Sequence, residues 1–194
     1  RAEILDTSYQ TSPSTVNPER TRPQAETATP EGTVTLPTLF EHVQTLDQSV
    51  PVDYYLPGCP PPVELIVGAV TAILEGTLPA KGAVLAPDLA LCHECPRKES
   101  KPEKLAVTTF KRPHQVLIDP QTCVLAQGLL CLGPATRSGC GAACITGNMP
   151  CTGCLGPTSR VKDYGAKALS AIASTLEARD DAEVDAVVES IVDP

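Results

Sequence analysis

Nine cysteines are the residues of this sequence whose type and spacing best fit a chemical role. Eight of them lie between residues 92 and 154, with the spacings C-x2-C-x27-C-x7-C and then C-x3-C-x6-C-x2-C. A C-x2-C pair brings two thiolates to one centre, and four thiolates complete either a zinc site or a cubane iron–sulfur cluster. Eight cysteines therefore suffice for two such sites. In chain order they are Cys92, Cys95, Cys123, Cys131, Cys140, Cys144, Cys151 and Cys154.

Spacing alone leaves three interpretations open, which are iron–sulfur clusters, zinc sites, and disulfides or buried thiols. Disulfides fit least well, because the count of nine is odd and no secretory segment is visible. The neighbouring residues favour iron, since Pro follows Cys59 and Cys95 and Gly flanks several of the other cysteines. Such tight loops leave backbone amides free to point at sulfide. Two clusters in so short a segment would also lie close together, which suits electron transfer.

Composition and charge exclude several other functions. The 194 residues have a formal net charge of -8, and such an acidic chain is a poor partner for the phosphates of nucleic acid. No apolar run approaches the roughly 18 residues of a membrane span. The stretch from Arg97 to Arg112 has six bases and two acids. We expect it to be a solvated face, with steering of an acidic electron carrier as the alternative.

The elements that must position the cysteines are short. The residues VPVDYYL at 50–56 are β-prone, and the turn-forming PGCPPP that follows contains Cys59. Apolar residues from Val63 to Leu74 then recur at helical spacing, and Gly76 is suited to end that helix. Strand, loop and helix over residues 50–76 form a unit that normally packs on a parallel sheet. We therefore expect an α/β fold.

Three parts follow from this pattern. Residues 1–89 are rich in Pro, with a short helix expected from Leu39 to Leu46, and they resemble the end of an α/β domain. Residues 90–178 are predicted to be loop-rich, with a closing helix that begins after Asp163 as its N-cap. Residues 179–194 form an acidic tail with a weak helical pattern. Since the sequence starts at Arg1 without Met or a signal-like segment, we expect it to begin inside a longer protein.

Three segments carry a resemblance to a known family. They are DYYLPGCPPPVELI at 53–66, LCHECPRK at 91–98 and QGLLCLGPATRSGCGAACITGNMPCTGCLGP at 127–157. Together they closely resemble the small, electron-transferring subunit of nickel–iron hydrogenases. The nearest branch is the cytoplasmic one, which includes coenzyme F420-linked, NAD(P)-linked and sulfhydrogenase enzymes. The resemblance covers about residues 1–176, and its cysteine pattern is highly specific.

The resemblance implies a role for each cysteine. In this family a flavodoxin-like domain holds a proximal cluster, and its GCPP-loop ligand matches Cys59. Residues 1–89 would then be the C-terminal remnant of that domain, followed by a two-cluster iron–sulfur domain. A distal [4Fe-4S] cluster would be bound by Cys92, Cys95, Cys123 and Cys131. A medial [4Fe-4S] cluster would be bound by Cys140, Cys144, Cys151 and Cys154.

The sequence departs from the family or its branches at three points, one of which is Cys144, which gives the medial set four thiolates where some relatives have three and a [3Fe-4S] cluster. The early C-x2-C and a mid-domain Cys that complete the proximal site have no counterpart here, so Cys59 is an incomplete proximal ligand. A third cluster is expected only if the missing N-terminal part is present. The periplasmic branch has His at the position of Cys92, and we prefer Cys92 to the adjacent His93 as the ligand. Exchange of ligands between the two sets stays open, as in bacterial ferredoxins.

By resemblance, the chain is an electron-relay subunit of an oxidoreductase and has no active site of its own. Its partners would be the large subunit that carries the nickel–iron site and a diaphorase, F420-reducing or other acceptor subunit, and its location the cytoplasm. Two alternatives remain. One is a zinc-stabilised scaffold that only docks to a partner. The other is an iron–sulfur subunit of a quinone reductase of the complex I type, which shares the GCPP-type loop and normally lacks the eight-cysteine extension.

Overall fold

The computed structural model describes residues 2–37 and 40–191. The chain divides into two compact units, Arg1–Val52 and Asp53–Pro194. Helices, one small sheet and many loops make up the described residues, which is a mixed α and β composition. All eight clustered cysteines and Cys59 lie in the second unit.

The first unit contains two short helices and a hairpin. Helix α1 spans Ala2–Asp6 and continues as a π-helical turn over Thr7–Thr11. Strands β1 (Glu26–Thr29) and β2 (Gly32–Thr35) pair antiparallel, and every residue in them is exposed. This hairpin was not predicted. Helix α2 is Leu46–Ser49, so the helix expected from Leu39 is wrong for residues 40–45, while Leu39 itself lies outside the described residues.

Helix α3 lies in the second unit and confirms the predicted helix. It spans Val63–Glu75, begins directly after Pro62, and ends at Gly76 in the left-handed conformation with φ of 66°. Proline suits a helix start because its missing N–H would have no helical partner there. None of the thirteen residues of α3 is buried. Its apolar stripe therefore faces water in this chain.

The predicted strand over residues 50–56 is wrong as an extended element. Within that segment only Tyr55 forms a parallel bridge, to Val84, in which the Tyr55 N–H donates to Ala83 O and the Leu85 N–H donates to Tyr55 O. A strand needs a partner along its length, and the segment beside Tyr55 provides one for a single residue. Within residues 53–191 the structure has no multi-stranded sheet. The flavodoxin-like remnant thus stays a prediction.

Loops and short 3-10 turns form the cysteine-rich part around one apolar core. The turns are Leu91–His93, Lys98–Ser100, Pro113–Gln115 and Leu125–Gln127, and helix α4 spans Ala143–Thr146. Two of the cysteines predicted as ligands belong to the core itself. Its buried residues are Leu91, Ile118, Val124, Leu125, Leu129, Cys131, Ala142, Ile145 and Cys151.

Two helices follow the last cysteine. Helix α5 spans Tyr164–Ala173, and its N-cap Asp163 accepts a hydrogen bond from the Ala166 amide, as predicted. Helix α6 spans Asp181–Glu189 within the acidic tail and buries Val187. No helix in residues 2–37 and 40–191 combines the length and apolar character needed to cross a membrane.

Candidate metal centre

Four thiols of the second unit line one cavity. Cys92, Cys95, Cys123 and Cys131 share its wall with Lys101 and otherwise apolar or glycine residues. None of the four forms a disulfide, and none is fully exposed. His93 is exposed and does not line this cavity, whereas Cys92 is part of the lining. The structure therefore brings together the four residues that were predicted to form the distal set.

Backbone contacts fix the loops that carry these thiols. The Leu91 side chain is buried, and its amide donates to Thr136 O at 2.8 Å, which anchors the turn before Cys92. The Cys123 amide donates to Ser100 Oγ at 2.7 Å. The Cys131 thiol is buried beside Leu129, which is completely shielded from water. The four thiols thus belong to loops that are held by the core and by one another.

Burial favours the protonated form of two of these thiols, Cys92 and Cys131. It raises the pKa of Cys92 to about 11, and the nearby thiols of Cys131, Cys95 and Cys123 act in the same direction, while Lys101 opposes it. Burial also raises the pKa of Cys131, although amides of Gly133 and Cys151 favour its thiolate. Metal binding must release these protons, because the thiolate is the ligand. Lys101 and the amides are the groups that favour that change.

The predicted medial set is more open. Cys151 is buried, Cys140 is half-buried, and Cys144 on α4 and Cys154 are exposed. Burial raises the pKa of Cys151 to about 11, and the thiols of Cys131 and Cys144 act in the same direction. The Gly153 amide and the Thr136 hydroxyl act in the opposite direction and lower the pKa of Cys151. Cys151 is therefore the anchor of this set, with thiols of both sets close to it.

The loop between Cys151 and Cys154 requires glycine. Gly153 has φ of 90° and is buried, and a Cβ atom at this position would collide with the Tyr164 hydroxyl. That hydroxyl is fixed by a 2.9 Å hydrogen bond with Thr136 Oγ1. Helix α5, which begins at Tyr164, thus closes over the loop that carries the last two cysteines.

A buried arginine holds three loops around both sets. Arg97 is only 5% exposed, so its interpretation as part of a solvated face is wrong. Its guanidinium donates to the carbonyls of Asp119 and Ile145 and, at 2.6 Å, to Asn148 Oδ1. Asn148 in turn donates to Ile118 O. The sequence places Arg97 two residues after Cys95 and gives no signal that it is buried.

A second buried arginine joins the segments at either end of this region. Arg137 donates to Pro157 O at 3.1 Å and to Pro87 O at 3.0 Å, and it forms an ion pair with Asp88. The Asp88 carboxylate also accepts the amide and hydroxyl of Ser159. The residues just before Cys92 are thereby fastened to those just after Cys154.

The ninth cysteine stands apart in its environment. Cys59 is exposed in the loop that precedes α3, and it does not line the cavity of the distal set. As a sole thiol it cannot complete a four-thiolate site. Its role as an incomplete proximal ligand stays a prediction.

Zinc and a cubane cluster require different arrangements of four thiolates. Zinc in a four-thiolate site lies about 2.3 Å from each sulfur, whereas a cubane binds each thiolate to a different iron and so needs a wider ring. Among residues 2–37 and 40–191, no group of three or more His, Cys, Asp or Glu side chains is placed to hold one metal ion. Four thiols on a shared, mostly apolar cavity are a suitable donor set for a cluster.

Comparisons with known proteins identify relatives, but no family model matches the sequence. The chain is 39% identical over 176 residues to the iron-sulfur subunit of the F420-non-reducing hydrogenase of Archaeoglobus profundus, which is 90% of this chain and 55% of that protein. It is 48% identical over 94 residues to the corresponding subunit of the F420-non-reducing hydrogenase of Methanothermus fervidus, which is 48% of this chain and 73% of that protein.

A more distant relative is the delta subunit of sulfhydrogenase 2 from Pyrococcus furiosus. It is 32% identical over 110 residues, which is 56% of this chain and 35% of that protein. The chain spans about half the length of the first of these relatives, 55% of the Archaeoglobus profundus protein.

Proposed function

Since the chain belongs to the family of F420-non-reducing hydrogenase subunits that includes the Methanothermus fervidus protein, we propose that it is an electron-transfer subunit of a nickel–iron hydrogenase. The observation that carries the proposal is the cavity lined by Cys92, Cys95, Cys123 and Cys131. Thiolate sets of this kind bind clusters that accept and donate single electrons. The words "iron-sulfur subunit" in the name of the Archaeoglobus profundus relative support the same chemistry.

The proposed ligands follow the two sets. Cys92, Cys95, Cys123 and Cys131 would hold a distal [4Fe-4S] cluster, and Cys140, Cys144, Cys151 and Cys154 a medial one. The clusters supply one-electron redox chemistry when bound. The residues of this chain would hold the clusters in place and adjust their reduction potentials.

Three features of the chain serve that purpose. Apolar residues such as Leu125 and Ile145 keep water from the distal thiols. The Cys151 amide and an amide of Gly133 donate to the Cys131 sulfur, which favours its thiolate. Arg97 and Arg137 fix the loops from inside. Hydrogen bonds to sulfur and exclusion of water are two of the means by which proteins adjust cluster potentials.

Partner subunits and the rest of the fold follow from the same role. A large subunit would carry the nickel–iron site where hydrogen is split, and an acceptor subunit would take the electrons from this chain in the cytoplasm.

Residues 1–89 would be the C-terminal part of a flavodoxin-like domain. The exposed apolar stripe of α3 supports this, because such a helix normally packs on a sheet. Cys59 would then serve a proximal cluster only with further ligands from outside this chain.

Metal analysis of the full chain tests the proposal. Purified anaerobically or reconstituted with iron and sulfide, the chain should hold about eight iron atoms and as much sulfide, with reducible EPR signals from two interacting clusters. An iron content of about four atoms or fewer per chain, with no reducible EPR signal, would contradict the presence of two cubane clusters. Stoichiometric zinc in a colourless protein would instead support the scaffold alternative.

A further inference from the structure

The carboxylate of Glu94 connects the two cysteine sets. Glu94 lies between Cys92 and Cys95 in the sequence, so it belongs to the C-x2-C turn of the distal set. Its Oε1 atom accepts the amides of Gly139 at 3.0 Å, Cys140 at 3.2 Å and Ala142 at 3.3 Å. One side chain from the first set therefore holds three amides of the turn that presents the first cysteine of the second set.

That turn has a conformation that needs an anchor. Gly139, Gly141 and Ala142 all have positive φ values, of 124°, 60° and 53°. Ala142 has a Cβ atom and adopts this conformation at a cost, and it is also 1% exposed. Successive amides in such a turn point to one side, where they favour a negative charge. Glu94 supplies that charge from the same chain.

The same carboxylate lies against a ligand sulfur. The Cys140 Sγ atom is 3.8 Å from Glu94 Oε1, a distance at which the thiol donates a weak hydrogen bond. The contact places a carboxylate beside the sulfur of a proposed cluster ligand. A fixed charge beside a cluster ligand disfavours the addition of an electron.

We propose that Glu94 is a positioning residue that presets the Gly139–Ala142 turn and holds a fixed negative charge beside Cys140, so that the turn of the distal set governs assembly and potential of the medial set. This inference rests on the proposed function for its redox part. The contacts to the three amides involve only atoms of this chain. They allow the positioning role to be tested separately.

The first measurement uses the metal-free full chain. Hydrogen exchange of the Gly139, Cys140 and Ala142 amides should be about tenfold faster in Glu94→Ala, since hydrogen bonds to a charged group are lost. Glu94→Gln keeps an oxygen acceptor and should show a smaller increase. The matched control is Glu99→Gln, because Glu99 is an exposed carboxylate on the same stretch of chain that pairs with Lys98 at 3.8 Å. Equal exchange in Glu94→Ala and wild type would overturn the positioning role.

The second measurement uses the cluster-loaded chain. Glu94→Ala should lose the medial set and retain about half of the wild-type iron. Glu94→Gln should keep its iron and show a higher midpoint potential for one EPR signal, while Glu99→Gln matches wild type. Unchanged potentials in Glu94→Gln would overturn the charge effect. If wild type itself binds no iron, the proposed function fails, and the exchange rates still decide whether Glu94 positions the turn.

Discussion

The amide nitrogen of Cys151 lies 3.4 Å from the Sγ atom of Cys131 and donates a hydrogen bond to it. One cysteine of each set thus takes part in a direct contact, and both are buried. The Leu132 amide donates back to Cys151 O at 2.9 Å, so the two stretches of chain are paired in both directions. A displacement of the cysteines of one set should therefore displace those of the other set.

Replacement of Cys131 should remove the distal set, whereas replacement of Cys59 should not affect iron binding. In Cys131→Ser, a buried ligand is lost and iron should fall to about half of wild type or less. Cys59→Ser alters an exposed thiol outside the cavity and should keep the full iron content. Iron and sulfide analysis of the two purified variants checks this. The assignment of ligands would be contradicted if Cys59→Ser lost iron while Cys131→Ser kept it.

Substitution of Gly153 by Ala should displace Tyr164 from its place over the Cys151 loop. The added Cβ atom would collide with the Tyr164 hydroxyl, and the alanine would have to adopt the left-handed conformation of Gly153. We therefore expect a loss of about 3 kcal/mol in the free energy of unfolding. Gly156→Ala is the control, because Gly156 has φ of 66° and open space around it. It should lose only about 1 kcal/mol. Denaturant unfolding of the metal-free chains gives both values, and equal losses would refute the steric explanation.

Replacement of Arg97 by Met should destabilise the whole cysteine-rich part. Met keeps much of the apolar stem but leaves Ile145 O, Asp119 O and the Asn148 side chain without their donor. Buried acceptors that lose a charged partner should lower the free energy of unfolding by about 3 kcal/mol. The exposed Arg160 serves as the control in Arg160→Met, which should change stability by less than about 0.5 kcal/mol. Thermal and denaturant unfolding provide the comparison, and equal stability of the two variants would contradict the role of Arg97.

Acid should weaken the link between the two ends of the cysteine-rich part. The backbone amide of Ser159, its hydroxyl and Arg137 hold the pKa of Asp88 below its ordinary value of 3.8. A lowered pKa means that the unfolded chain takes up the proton first as the pH falls. The contribution of Asp88 is thus complete above about pH 4 and is lost as the pH falls through its lower folded value.

The variant Asp88→Asn isolates this contribution. Its stability deficit relative to wild type should be constant above about pH 5 and shrink below about pH 4, as followed by denaturant unfolding across that range. Ser159→Ala should show a smaller effect, because the Ser159 amide still donates to the carboxylate. A deficit that grows as the pH falls would have the opposite sign and would contradict the assigned cause.

Local signals made part of this fold predictable. Helix α3 follows prolines and ends at Gly76, and α5 follows the N-cap Asp163, so each carries its start or stop in nearby residues. The strand over residues 50–56 failed because a strand also depends on a partner segment, and among the described residues Val84 alone provides one. The β1–β2 hairpin was missed although Thr, Val and Thr follow a Pro-Glu-Gly turn.

The candidate metal centre likewise has features that were predictable from the sequence and features that were not. The family resemblance implied which four cysteines form the distal set, and those four line one cavity, whereas the C-x2-C spacing by itself accounts for only two of them. The roles of Arg97 and Glu94 were not predictable, since Gly139 is 45 residues from Glu94 and Ile145 is 48 residues from Arg97. Nothing in the local sequence separates these side chains from ordinary surface charges. Only the packing of distant loops reveals them.

The apolar stripe of α3 has a practical consequence for handling the protein. Val63, Ile73 and Leu74 are each at least 60% exposed on a single helix. Surfaces of this kind attract one another in water, so concentrated samples of this chain should self-associate and then precipitate. Light scattering against concentration would show the onset. Charged replacements on that stripe should delay it, which offers a route to samples that stay clear long enough for spectroscopy.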